Sequence, residues 1–239
     1  LTPALATLGV GEHARLAGPE GHHAASVRRI AAGESLDVVD GRGARLTCEV
    51  VASDRDGLDL RVVEALVEPA PRPRLVLVQA LAKGDRDELA VQAATELGVD
   101  EVVPWQAARS VSRWNGDKIA KGLARWSTIV REAAKQAHRA WVPPVTAPVT
   151  TAQLAARGGA PLLVLEPTAS LPLSRVVVDA DDPRELVLVV GPEGGIAPEE
   201  LDALAASGAE LVRLGDTVLR TSTAGPAALA LLNARLERW

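Results

Sequence analysis

Apolar and polar residues alternate along the first part of the chain, in the pattern typical of β-strands with one buried face. Three such segments, residues 35–40, 44–52 and 58–64, follow one another along the sequence. Glycine-containing turns at 41–43 and 54–57 separate them. Short strands at this spacing indicate a small β-barrel or sandwich.

The pattern changes after a proline-rich segment at residues 69–73, which is a stiff boundary because proline fixes φ and has no N–H to donate. Beyond it, continuous apolar runs alternate with amphipathic segments. The runs predict strands at 74–81, 101–105, 161–165, 186–190 and 210–214, with a further strand end at 218–220, and the amphipathic segments predict helices at 85–97, 117–139, 198–207 and 221–238. This alternation is typical of an α/β domain with a parallel sheet. We therefore expect two domains, a β-barrel at residues 1–70 and an α/β domain at residues 74–239.

Composition excludes several classes of protein. The 239 residues are 47% apolar and carry a net charge of −5, so a general binder of polyanions is not expected. No apolar run reaches the roughly 20 residues that span a bilayer. The first ten residues contain no basic cluster, so we expect no secretory signal. The single cysteine, Cys48, fits a reducing compartment, and we expect a cytoplasmic protein without a membrane partner.

The main candidate for a binding site is the glycine-rich turn that follows the strand at 186–190. In open α/β sheets, ligands lie outside the carboxyl ends of the strands. Gly191, Gly194 and Gly195 allow a flat ligand to approach the main chain closely. The spacing matches neither the dinucleotide-binding fingerprint nor the phosphate-binding loop. The alternative is an ordinary strand-to-helix turn that binds nothing.

A second candidate segment, Val218–Ala224, lies about 25 residues further on. Arg220 precedes three hydroxyl residues, Thr221, Ser222 and Thr223. Helix capping would explain the hydroxyls, and a surface ion pair would explain Arg220. The two segments together are more specific than either alone, and they predict one pocket lined by backbone groups.

These motifs resemble the SPOUT class of S-adenosylmethionine-dependent RNA methyltransferases. More narrowly, the whole chain resembles the RsmE family, the 16S ribosomal RNA uridine-N3 methyltransferases. The resemblance rests on His23–Arg29, Lys83-Gly84 with Gln92 and Glu96–Val99, Glu132–Gln136 with Arg139 and Pro143, Gly191–Gly195, Leu214-Gly215 and Leu219–Thr221. One departure matters: many relatives carry glutamate where Ser222 stands, so a carboxylate is absent at this position.

The resemblance implies a trefoil-knotted α/β domain after a small PUA-like, RNA-binding barrel. It implies S-adenosylmethionine as cofactor, 16S ribosomal RNA within the 30S subunit as substrate, and a homodimer formed through the knot region. No metal is expected, because a sulfonium donor is already electrophilic.

The site residues are expected as follows. The cofactor would contact Leu165, Glu166, Gly191, Gly194, Gly195, Ile196, Leu214, Gly215, Leu219, Thr221, Thr223 and Ala224. Arg220 is the candidate for stabilising negative charge on a uracil oxygen, and Glu193 is the candidate general base.

RNA contacts are expected at basic residues on both domains. Between Trp105 and Trp141 there are eight Lys or Arg residues against two acids. The RNA-binding candidates are His23, Arg28 and Arg29 in the barrel, and Arg109, Arg113, Lys118, Lys121, Arg125, Lys135 and Arg139 in the α/β domain. Helical spacing places Lys118, Lys121, Arg125, Lys135 and Arg139 on one face. A solvated amphipathic helix and a barrel-surface charge pair are the alternatives for the two groups.

Two other functions stay open at this point. The chain could be a SPOUT methyltransferase that acts on another RNA, or a non-catalytic ribosome assembly factor of the same fold. The residues alone leave open the target nucleotide, the identity of the base and the dimer geometry. The absence of Phe, Tyr and Met has no explanation in the residues.

Overall fold

The computed structural model describes residues 7–239, which form two compact units. The first unit contains the described residues up to Ala70 together with His138–Val142, and the second contains Pro71–Ala137 and Pro143–Trp239. The expectation of no secretory signal concerns the first ten residues. Residues 1–6 of this segment lie outside the described residues.

The first unit is built on an antiparallel sheet of four strands. They are β1 (His13–Leu16), β2 (Ser35–Val39), β3 (Ala44–Asp54) and β4 (Gly57–Val67), in the order β1-β4-β3-β2. A short helix α1 (Gly18–His22) continues into a π-helical turn at His23–Val27. Alternate residues of β3 and β4, such as Leu46, Cys48 and Leu60, are buried in one apolar core. The three predicted strands are confirmed, and the antiparallel pairing extends β3 and β4 beyond the apolar alternation.

The second unit contains a six-stranded sheet in which all neighbouring strands are parallel. Its strands are β5 (Leu75–Ala80), β6 (Glu101–Trp105), β7 (Leu162–Leu165), β8 (Leu171–Pro172), β9 (Leu186–Val190) and β10 (Glu210–Arg213). The helices are α2 (Arg86–Glu96), α3 (Asp117–Gln136), α4 (Thr151–Ala155), α5 (Pro198–Ala206) and α6 (Thr221–Arg235). The order β6-β5-β9-β7-β10-β8 places β9 between two strands that precede it in the chain.

Burial of the central strands explains their continuous apolar runs. Every residue of β5, β6 and β9 is buried, because helices cover both faces of a parallel sheet. Burying a Val or Leu side chain contributes about 1.5–3 kcal/mol, so these strands form the most stable part of the unit. Their parallel pairing brings Gln79, Leu165 and Val190 to the same edge of the sheet.

One predicted strand is absent, and the helices predicted at 117–139 and 221–238 each end three residues early, at Gln136 and Arg235. Residues 218–220 form no strand, because the chain leaves β10 at Arg213 and reaches α6 through a loop. Helix α3 ends at Gln136, and His138 has a positive φ of 54°. Arg139 therefore lies beyond α3 and belongs to the first unit, so it cannot share a helical face with Lys118.

Within residues 7–239, no helix is long and apolar enough to cross a membrane. The same part of the chain contains no cluster of three or more His, Cys, Asp or Glu residues arranged to hold a metal ion.

Candidate active site

A cavity of about 540 Å³ lies at the carboxyl ends of β7, β9 and β10 in the second unit. The residues expected to bind the cofactor line it, with one exception: Leu165, Glu166, Gly191, Gly194, Gly195, Ile196, Leu214, Gly215, Leu219, Thr221 and Ala224. Arg220 and Glu193 line it as well. The sheet topology therefore brings together expected cofactor residues that are up to 59 positions apart in the sequence.

Thr223 is the exception, and it is exposed outside the cavity lining. Thr221 and Ala224 face the cavity from the first turn of α6. An α-helix turns about 100° per residue, so Thr223 lies about 200° around the helix from Thr221. The expected cofactor contact of Thr223 is not supported by this geometry.

The glycine loop that follows β9, residues 191–195, needs its glycines for two reasons. A Cβ at position 191 would lie 2.6 Å from Cγ1 of Ile196, so only glycine fits without a rearrangement. Gly195 has a φ of +72°, which L side chains rarely adopt. Gly195 N donates a hydrogen bond of 2.9 Å to the carbonyl of Pro192, which closes the turn.

A buried hydrogen-bond chain ties this loop to the start of α6. Thr221 Oγ1 donates to the carbonyl oxygen of Gly191 at 2.8 Å. The same hydroxyl accepts a hydrogen bond of 2.9 Å from Nε2 of Gln79, which is fully buried near the end of β5. Sequence reasoning missed Gln79, although a polar residue inside the apolar run at 74–81 is a usable signal. Thr221 is thus a link between two segments of the lining as well as part of it.

Glu193 is held by the turn between β5 and α2. Its Oε1 accepts a hydrogen bond of 2.8 Å from the backbone N–H of Lys83 and lies 3.5 Å from Nη1 of Arg86. The Glu193 side chain is 22% exposed, and Arg86 also lines the cavity. Sequence reasoning missed Arg86, which adds a second guanidinium to the lining. Oε1 of Glu193 is therefore engaged, and Oε2 is the oxygen left for a proton.

The loop after β6 supports the glycine loop from the other side. Nη1 of Arg109 donates to the carbonyl oxygen of Gly194 at 3.2 Å. The buried carboxylate of Glu200 in α5 accepts a 2.9 Å hydrogen bond from the N–H of Ala108 and a 2.5 Å hydrogen bond from the hydroxyl of Thr151. Arg109 is an RNA-binding candidate, yet the structure places part of its guanidinium on the glycine loop.

Arg220 occupies the N-cap position of α6. Its carbonyl oxygen accepts hydrogen bonds from Thr223 N and Ala224 N at 2.8 and 2.9 Å. Its guanidinium makes no hydrogen bond or ion pair with any residue of the described chain, and it is exposed at the cavity. A fixed backbone with an unpaired cation gives the cavity a group that is free to face an anion.

The basic candidates on α3 differ in their pairing. Nη2 of Arg125 lies 2.7 Å from Oε2 of Glu88, and Lys135 lies 3.3 Å from a carboxylate oxygen of Glu132. Lys118 and Lys121 are exposed on the same side of the helix as Arg125. Arg113 donates a 2.8 Å hydrogen bond to the carbonyl oxygen of Ala108. Lys118 and Lys121 are thus the α3 candidates best placed for an external anion.

In the first unit, the candidates His23, Arg28 and Arg29 lie on the π-helical turn and directly after it, and all three are exposed. Arg29 has a positive φ of 55°. The neighbouring His22 contacts the carbonyl of Arg55 through Nδ1 at 2.9 Å, so that ring serves the local structure.

Both units match known protein families. Residues 68–233 match the RNA methyltransferase domain family, and residues 16–63 match the RNA methyltransferase PUA domain family. The chain is 48% identical over 229 residues to the Ribosomal RNA small subunit methyltransferase E of Mycobacterium tuberculosis, covering 93% of this chain and 86% of the relative. It is 30% identical to the protein of the same name from Bacillus subtilis, covering 93% and 90% of the two chains.

Solved structures agree with this placement. A Ribosomal RNA small subunit methyltransferase E from Neisseria gonorrhoeae, bound to S-adenosyl methionine, matches with a TM-score of 0.84 and 27% identity, covering 96% of this chain and 94% of the other. A Legionella pneumophila protein in complex with the same cofactor matches with a TM-score of 0.84 and 29% identity, covering 95% and 94%. The expected fold is confirmed as a SPOUT-type parallel α/β domain preceded by a PUA-like domain. The chain belongs to the Ribosomal RNA small subunit methyltransferase E family of RNA methyltransferases.

Proposed function

We propose that the protein transfers a methyl group from S-adenosylmethionine to N3 of one uridine in 16S ribosomal RNA. The observation that carries this proposal is the cavity at the carboxyl ends of the strands, which combines a glycine loop with the unpaired cation of Arg220. The name shared by the relatives points to the RNA of the small ribosomal subunit.

The residues of the cavity fit this cofactor. Its volume of about 540 Å³ lies within the usual range for small-molecule sites. A Cβ at Gly215 would meet no atom within 4 Å, so the backbone there borders open space and can approach a ligand. Backbone groups of the glycine loop and of Leu214-Gly215 would hold the adenine edges. When bound, the cofactor supplies an electrophilic methyl group on a sulfonium.

The chain's own task is to bind the uracil in line and to favour its anion. N3 loses its proton, and the resulting negative charge is shared with the uracil oxygens. The Arg220 guanidinium stabilises that charge from the N-cap of α6. Glu193 accepts the N3 proton through Oε2, because Oε1 is engaged by Lys83 and Arg86. Ser222 has no carboxylate for this purpose.

RNA is bound outside the cavity. In this proposal Lys118, Lys121 and Arg125 on α3 contact phosphates, which fixes the position of the RNA without reading its sequence. The PUA-like domain, which we place at residues 1–70, contributes His23, Arg28 and Arg29 to the same RNA.

The active form is a homodimer, and it works in the cytoplasm on the 30S subunit. One side of α6 supports the dimer: Ala227, Ala230 and Leu231 share a face and remain only half buried. An apolar helix face of this kind is stabilised when a second copy covers it.

Calorimetric binding of S-adenosylmethionine tests the proposal. We expect micromolar binding by the wild type and none by a folded Gly195→Trp variant, because the indole would fill the cavity. A folded wild type that does not bind the cofactor would overturn the proposal and favour a non-catalytic RNA-binding protein. If the protein binds the cofactor but methylates a different RNA, the proposed activity stands and the proposed substrate is wrong.

A further inference from the structure

A second cavity of about 390 Å³ lies in the same unit, beside the turn between β5 and α2. Residues of that turn, including Lys83 and Asp85, form one side. Ser112 and Trp114 of the loop before α3 form another, and Arg125 of α3 closes it. The methyl-transfer step described above makes no use of this cavity.

The lining combines the exposed part of a packed indole pair with charged edges. Trp114 and Trp126 are buried and meet edge to face, with ring centroids 5.1 Å apart and planes at 73°. The packing depends on Gly122 of α3, where a Cβ would lie 2.4 Å from Cε2 of Trp114. Lys83 and Arg125 are exposed at the rim. Aromatic surface next to cations is the usual combination in sites for unstacked nucleotides.

Acidic groups at the rim argue against a simple polyanion as the occupant. The carboxylate of Glu88 is paired with Arg125 at 2.7 Å, and its hydrogen bonds raise the pKa of Arg125. Asp85 is exposed at the rim, while the buried carboxylate of Asp87 accepts hydrogen bonds from Ala82 N and Glu88 N. Carboxylate oxygens at the rim are acceptors for the N–H groups of a base. A nucleotide provides the flat faces, the N–H edges and the phosphate that this lining matches.

The second cavity and the active-site cavity share one wall. The backbone N–H of Lys83, which lines the second cavity, donates to Glu193 Oε1, which lines the first. Arg86 lines the first cavity, and its neighbours Asp85 and Asp87 line the second. Lys118 and Lys121 precede Arg125 by two turns and one turn of α3, so they extend the cationic rim. An RNA strand lying along α3 would thus reach both cavities.

We propose that the second cavity holds a nucleotide of the RNA substrate that flanks the methylated uridine and is turned out of its stack. This inference rests on the proposed function. Methyl transfer needs the reacting atoms about 3–3.5 Å apart in line, and the shared wall separates the second cavity from the donor. The occupant is therefore a neighbour of the target, and its binding sets the position of the target in the active site.

The test combines protein variants with abasic RNA. The probe is an unmodified 16S ribosomal RNA fragment containing the uridine that the wild type methylates, made intact and with one abasic residue at each neighbouring position. Ser112→Trp fills the cavity, Lys83→Met removes a rim cation, and Lys121→Met is the matched control outside the lining. Calorimetry with S-adenosylmethionine checks that each variant is folded and keeps its cofactor site.

For the wild type, we expect an abasic residue at one flanking position to raise the KM for RNA at least about fivefold. For Ser112→Trp and Lys83→Met, the KM should be the same for this abasic RNA as for intact RNA. With Lys121→Met the abasic effect should persist in full. Additive effects of the abasic residue and the variants at every flanking position would overturn the proposal. If the wild type methylates no fragment and no 30S subunit, the proposed function has failed, which this design separates from failure of the second cavity.

Discussion

At the scale of single residues, the hydroxyl of Thr221 does more than cap a helix. It accepts from Gln79 and donates to the carbonyl of Gly191, so it connects β5, the glycine loop and α6. Helix capping alone therefore does not explain the hydroxyl of Thr221. The cavity's shape depends on this one side chain because both partners bind its oxygen.

We predict that Thr221→Val weakens cofactor binding and lowers stability. Valine has nearly the same shape but leaves Gln79 Nε2 and the Gly191 carbonyl without their shared partner, which costs about 1–3 kcal/mol. Denaturant unfolding and calorimetric titration with S-adenosylmethionine measure the two effects. Thr221→Ser keeps the hydroxyl and is the control. Wild-type stability and cofactor affinity in Thr221→Val would show that these hydrogen bonds do not matter at this position.

The residues that sequence reasoning missed are those whose partners are distant in the chain. Gln79 and its partner Thr221 are 142 positions apart, and Arg86 and its partner Glu193 are 107 apart. Local patterns carry no information about such pairs. The lining glycines were predictable because a glycine run after a buried strand is a local signal. The contact of Thr223 was predicted wrongly because a hydroxyl residue alone does not show which side of the helix faces the cavity.

At the scale of elements, the turn between β5 and α2 is the structural wall between the two cavities. Asp87 stabilises it by accepting hydrogen bonds from the N–H groups of Ala82 and Glu88. Burial raises the pKa of Asp87, and these backbone hydrogen bonds offset only part of the shift. Asp182 is the opposite case: its side-chain hydrogen bond with Arg184 lowers its pKa to about 2.

These opposite shifts predict opposite pH dependences. The raised pKa of Asp87 contributes stability at low pH, and that contribution is lost as the pH rises from 3.8 through its native value. The lowered pKa of Asp182 contributes stability above 3.8, and that contribution is lost as the pH falls towards about 2. Carbon-13 NMR of aspartate-labelled protein measures both carboxyls in one titration. We expect midpoints on opposite sides of 3.8, and a midpoint for Asp87 at or below 3.8 would contradict the described turn.

Element types were easier to predict from the sequence than element ends. The central strands β5, β6 and β9 were predictable because strands buried on both faces give continuous apolar runs. The two-residue strand β8 was not predicted, because it is only partly buried and too short to form such a run. The end of α3 was not, because the apolar and basic periodicity continues past Gln136 although the chain turns at His138. The segment at 218–220 was also predicted wrongly from a local pattern. Its apolar residues, Val218 and Leu219, line the cavity instead of pairing in the sheet.

At the scale of the whole molecule, the net charge of −5 gives a poor description of the surface that meets RNA. Lys118 and Lys121 lie together on one helix and are exposed, whereas many acids elsewhere are paired with arginines. Distribution of charge decides whether a polyanion binds. The order of the strands was also beyond local patterns, since β9 enters the sheet between β5 and β7 only in the folded chain.

We predict that replacing Lys118 and Lys121 together by alanine weakens RNA binding and reduces its salt dependence. Each lost phosphate contact lowers the slope of log K against log salt by about 1. Filter binding of 16S ribosomal RNA at several salt concentrations measures the slope. Arg184→Ala is the control, because Arg184 is paired with Asp182 at 2.6 Å and precedes β9 at the other end of the sheet. An unchanged slope in the lysine variant would place the RNA elsewhere.

The most direct test of the account is methylation of 30S subunits that lack the modification, with mass-spectrometric mapping of the product. We expect the wild type to add one methyl group to N3 of a single uridine in 16S ribosomal RNA. Arg220→Ala should lower kcat about 10²–10³-fold, since it removes one donor to the developing oxyanion, while its affinity for S-adenosylmethionine stays unchanged. Methylation of another RNA or another base atom would contradict the proposed reaction, and full activity of Arg220→Ala would contradict the role given to its guanidinium.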